Sequence, residues 1–123
     1  MVSESSTILF LTQDLMMQSQ AAAATNGTDF KIVTAGNLSS FKEKLGERSP
    51  VVIFVDLQTL RLDVANLAEI LNQQAGSILT IAFAQHVEVE LLKSAKLDSI
   101  DRVMTRGQFS QQLPELISEL SSG

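Results

Sequence analysis

The sequence predicts an α/β protein, a three-layer α/β/α sandwich around a five-stranded parallel sheet, with residues 1–123 forming one domain in (βα)5 order. Three observations carry that prediction. Short apolar runs alternate with longer segments whose apolar residues recur at helical spacing, the pattern of βαβ units. The short runs are continuously apolar, as strands covered by helices on both faces must be. A length of 123 residues, 45% of them apolar and 19% charged, suffices for one self-supporting core.

The first strand is expected at 7–12, TILFLT. Asp14 then caps a helix whose alanines at 21–24 favour that conformation and which Asn26 and Gly27 close. The second strand, FKIVTA at 30–35, carries a polar Lys31 and so belongs near an edge. Asn37 or Ser39 caps the short helix after it, with Gly46 near its end. The third strand, VVIFV, is introduced by Pro50 and stops on a carboxylate, Asp56. Its helix starts at Asp63, places Leu67, Ile70 and Leu71 inward and ends at Gly76.

The fourth strand is ILTIAFA, 78–84. The segment 86–97 follows as a helix, with Val87, Leu91, Leu92 and Ala95 on one face and Glu88 and Glu90 in the dipole-favoured first turn. The fifth strand, 100–105, leads to a closing helix capped by Ser110, with Pro114 in its first turn. Right-handed crossovers place the strands' carboxyl ends on one side, where ligands bind in open sheets of this kind. Asp56 lies at that end.

Composition removes several function classes. The absence of cysteine rules out disulfides, thiolate metal sites and thiol catalysis, and a single histidine rules out a multi-histidine zinc site. A net charge of −5 without Trp or Tyr argues against a nucleic-acid partner, since duplexes need clustered cations and single strands need stacking aromatics. The apolar runs are too short to span a membrane. The start MVSESSTILFLTQ lacks the basic region and long apolar core of a signal peptide, so a cytoplasmic location is expected.

A (βα)5 chain with an acid after its third strand resembles, over nearly its whole length, the CheY-like receiver domain of bacterial response regulators, a flavodoxin-like layout. In that family the acid after the third strand accepts a phosphoryl group. Two acids after the first strand hold magnesium, a Thr or Ser ends the fourth strand, and a Lys ends the fifth. The resemblance makes Asp56 the phosphoacceptor position, but the acidic pair falls on Thr12 and Gln13. The hydroxyl position falls on Ala82, Phe83 or Ala84, and the lysine position on Thr105 or Arg106. The loop LQTLRLD, with Gln58, has neither the proline nor the glycine common in the family.

Phosphoryl transfer needs a metal to neutralise the transferring oxygens, and magnesium prefers hard anionic donors. Thr12, Gln13 and Asp14 supply one carboxylate, and Asp14 is placed to cap a helix. The expected function is therefore that of a degenerate, pseudo-receiver signalling module. It is expected to act on a protein partner in trans, a kinase or output protein, without a cofactor, enzymatic activity or phosphorylation. The alternative is a working single-domain response regulator, phosphorylated on Asp56 by a histidine kinase with Mg2+.

Other expectations concern single residues. Arg106 pairs with Asp56, or lies loose on the surface. Phe83 plugs the cleft, or simply packs in the core. His86 stands at the cleft mouth, where with Asp56 it would serve a hydrolytic enzyme, or merely faces solvent. Met16 and Met17 line an adaptable binding surface, or one is core and the other exposed. Phe109, Leu113, Leu116, Ile117 and Leu120 offer a homodimer seam, or belong to the core. A flavodoxin-type flavin site is disfavoured, because TQDLMM has no glycine and no hydroxyl cluster to cradle a phosphate.

Overall fold

The computed structural model describes residues 6–59, 62–74, 78–86 and 100–122. Its strands are β1 (Ser6–Leu11), β2 (Phe30–Ala35), β3 (Val52–Asp56), β4 (Leu79–Ala84) and β5 (Arg102–Thr105). Its helices are α1 (Leu15–Thr25), α2 (Leu38–Arg48), α3 (Val64–Asn72) and α4 (Arg106–Ser122). The expected helix at 86–97 lies, from residue 87 on, outside the described residues, as does Gly76.

All pairings are parallel, in the order β2-β1-β3-β4-β5. The apolar β3 runs through the centre and Lys31 stands exposed on the edge strand β2. Alternate residues feed two cores. On one face Ile8, Phe10, Phe54, Ile81 and Phe83 meet Met17 and Ala21 of α1 and Phe109, Leu113 and Ile117 of α4. On the other, Leu9, Leu11, Ile53, Val55 and Ala82 meet Phe41 and Leu45 of α2 and Leu67, Ile70 and Leu71 of α3.

The helix starts follow from local chemistry. Asp14 Oδ1 accepts from the backbone N–H groups of Met16 and Met17 at 2.9 and 3.1 Å. Asn37 accepts from Ser40 N, and Asp63 accepts from Asn66 N, each satisfying an orphan donor of a first turn. After Asn26, Gly27 takes φ 83°, the left-handed geometry glycine adopts without penalty.

The closing helix begins earlier than expected. Ser110 is not its cap and Pro114 is not in its first turn, because α4 starts directly after β5 at Arg106. Thr105 and Gln108 form a reciprocal capping box. The Thr105 amide donates to Gln108 Oε1 at 3.0 Å, and the Gln108 amide donates to Thr105 Oγ1 at 3.1 Å. The early start also places Phe109 on the same inward stripe as Leu113, Leu116 and Ile117. Pro114 sits mid-helix on the exposed side, and Ser110 instead donates to Gln20 Oε1 of α1 at 2.6 Å.

The seam residues Phe109, Leu113, Leu116 and Ile117 are buried in the chain's own core, with Leu120 packed against it. Met17 is core and Met16 exposed. Among the described residues, no helix is long and apolar enough to cross a membrane.

Candidate functional site

The carboxyl ends of β1, β3 and β4 and the start of α4 enclose an open cleft of about 430 Å³, lined by Gln13, Asp14, Asp56, Gln58, Thr59, Gln85 and Arg106. Strand register brings these residues together. Leu11 pairs with Val55, which sets Thr12 beside Asp56 on the neighbouring strand, and Asp56 pairs with Phe83 across to β4.

Asp56 is 3% exposed, and its carboxylate is held from three sides. Thr12 Oγ1 donates to Oδ2 at 2.8 Å, and the Gln58 backbone N–H donates to Oδ1 at 3.0 Å. Arg106 Nη1 lies 3.5 Å from Oδ2. The Asp56 carbonyl accepts from both the amide and the hydroxyl of Thr59, at 3.1 and 2.7 Å. Thr12 uses its hydroxyl twice, accepting from the Asp14 amide at 3.0 Å while donating to Asp56. A buried carboxylate needs such partners, since an unpaired charge away from water costs several kcal/mol.

Asp14 divides its carboxylate. Oδ1 caps α1, and Oδ2 pairs with Arg106 Nη2. The same guanidinium donates through Nη1 to Gln58 Oε1 at 3.3 Å, and its carbon lies 5.4 Å from the centroid of the Phe83 ring. Arg106 thus joins α4 to the start of α1 and the end of β3. Its planar fork can serve several acceptors at once, while the ring below adds a cation–π contact of about 0.5–2 kcal/mol.

Several expected site residues sit elsewhere. Phe83 does not plug the cleft. It is fully buried, stacked on Phe109 with centroids 4.5 Å apart, because its strand position faces the α1/α4 side. Ala84 is buried in β4, and Thr105 serves the α4 cap. Gln13 lines the cleft, but its amide donates to the Gly36 carbonyl at 2.9 Å. His86 is exposed and outside the cleft lining. Thr59 and Gln85 were missed in the sequence. Thr59 follows Asp56 by three residues, the spacing of a turn in which a hydroxyl bonds back to a carbonyl, and Gln85 is the first residue beyond β4.

No three His, Cys, Asp or Glu side chains cluster as a metal site among the described residues. The two carboxylates present both face Arg106.

Solved structures share this fold. The crystal structure of the receiver domain of NtrX from Brucella abortus superposes with a TM-score of 0.73 at 22% identity, covering 93% of this chain and 96% of that one. The REC domain of AraT, a response regulator from Geobacillus stearothermophilus, gives 0.76 at 16% identity, covering 96% and 94%. The chain has the receiver fold. A longer NtrX structure from Brucella abortus gives 0.76 at 21% identity, and there 95% of this chain spans only 26% of the other. No protein-family model matches the sequence, and no curated protein matches it.

Proposed function

We propose that the chain is a receiver-like signalling module that acts by binding another protein and does not depend on phosphorylation of Asp56. The observation that carries this reading is the commitment of the Asp56 carboxylate. Attack on a phosphoryl group needs a free oxygen and a metal to neutralise charge. Here Oδ2 is engaged by Thr12 and Arg106, Oδ1 is engaged by the Gln58 backbone N–H, and Asp14, the other carboxylate lining the cleft, is paired.

The donor set does not fit magnesium, which demands near-octahedral hard oxygens. Gln13 is turned to Gly36, and both acids face a guanidinium. Protein binding is supported by Leu15 and Met16, which follow Asp14 and are 75% and 73% exposed.

The test is a backbone amide NMR spectrum titrated with magnesium and then beryllofluoride, a phosphoryl mimic, on wild type and Asp56→Asn. An unchanged wild-type spectrum is expected. Shifts around Asp56 and β4 that disappear in Asp56→Asn would instead establish a phosphorylated regulator.

A further inference from the structure

One cation touches two carboxylates in the cleft, and it is covalently part of the chain. We propose that Arg106 is the resident counter-cation of Asp14 and Asp56, holding the place a divalent ion would otherwise take. This inference rests on the phosphorylation-independent reading above and explains how the site meets its own charge requirement.

Asp56 is too buried to be left to solvent, so its carboxylate is met by local donors, of which Arg106 is the charged one. Asp14 commits one oxygen to the α1 N-terminus and presents the other to the same guanidinium. The guanidinium is seated, with the Phe83 ring beneath it and Gln58 Oε1 beside it. A divalent ion approaching either carboxylate would meet a fixed like charge at contact range, where Coulomb repulsion is large. A metal can leave, whereas Arg106 cannot. The link between α1, β3 and α4 therefore needs no ion from solution.

The test uses manganese as a paramagnetic probe of backbone amides in wild type, Arg106→Gln, Arg106→Lys and Gln13→Asp. Wild type is expected to show no selective broadening at residues 12–14 and 56–59. Arg106→Gln should gain it, with apparent affinity rising about tenfold or more as the like charge is removed.

Arg106→Lys retains the charge and should remain silent. Gln13→Asp adds a carboxylate yet keeps Arg106, and should also remain silent. Selective broadening in wild type as strong as in Arg106→Gln, binding by Gln13→Asp alone, or a folded Arg106→Gln that stays silent would each overturn the proposal. Should Arg106→Gln lose its amide dispersion, Gln13→Asp decides. A wild-type response to beryllofluoride would instead end the phosphorylation-independent reading, whereas a silent, folded Arg106→Gln ends only this one.

Discussion

Phe83 and Arg106 lie one above the other, yet they belong to regions built on different physics. Below, Phe10, Phe54, Phe83 and Phe109 form a cluster of edge-on and stacked rings with centroids 4.5–6.0 Å apart, all fully buried. Above, one guanidinium and two carboxylates are held by hydrogen bonds in an open cleft. The lower region is held by excluded water and dispersion, and asks only for apolar volume of the right shape. The upper region depends on each donor finding its acceptor. Truncation should therefore cost most in the cluster, while the cleft should respond to changes of single atoms and to salt.

The largest effect is expected at the cluster's centre. Phe54→Ala should lose about 3–5 kcal/mol, a large part of a typical domain's stability of about 5–15 kcal/mol. Urea unfolding would show a much lower midpoint. A loss below about 1 kcal/mol would mean that the rings do not form one packed unit.

The cleft comes next. Arg106→Ala should cost about 1–3 kcal/mol, because it leaves Asp56 buried with less compensation. That cost should shrink in high salt, since the Asp14 side of the pair is solvent-accessible and screened. A salt-independent loss would point to packing on Phe83 instead. Thr12→Val keeps shape and removes one donor to Asp56, for an expected loss of about 1–2 kcal/mol. Calorimetric midpoints for Thr12→Val and Thr12→Ser would separate the hydroxyl from the methyl.

Smaller still, Gln108→Ala should cost about 0.5–1 kcal/mol through the α4 capping box. Helical circular dichroism during thermal unfolding would report it. Leu15→Ala with Met16→Ala should change stability by less than about 0.5 kcal/mol, as both side chains are exposed. Any binding partner found should be lost by the same double variant.

Much of the fold is legible in the chain alone. Burial in a doubly covered sheet demands continuous apolar strands, and the helices between them need a one-sided stripe. Both are local patterns, and β1 through β5 fall within two residues of where those patterns place them. The Asp14, Asn37 and Asp63 caps are equally local. The start of α4 shows the limit, because Ser110 and Pro114 made a plausible first turn. The Thr105–Gln108 box was present in the sequence as T-x-x-Q, but an outranking proline signal hid it.

The site is legible only in part. Strand order and chain direction suffice to put Asp56 at the ligand end of the sheet and Arg106 at the end of β5, because both positions follow from topology. That one guanidinium reaches Asp14 and Asp56 together was settled only in three dimensions, as were the orientation of Phe83 into the core, the use of Thr12 as donor to Asp56, and the turning away of Gln13 to Gly36. Each depends on distances between segments far apart in sequence, set by register and by which face of a strand a side chain occupies. Local periodicity carries the pattern of burial, whereas charge partners are chosen by whatever the tertiary fold brings within hydrogen-bond reach.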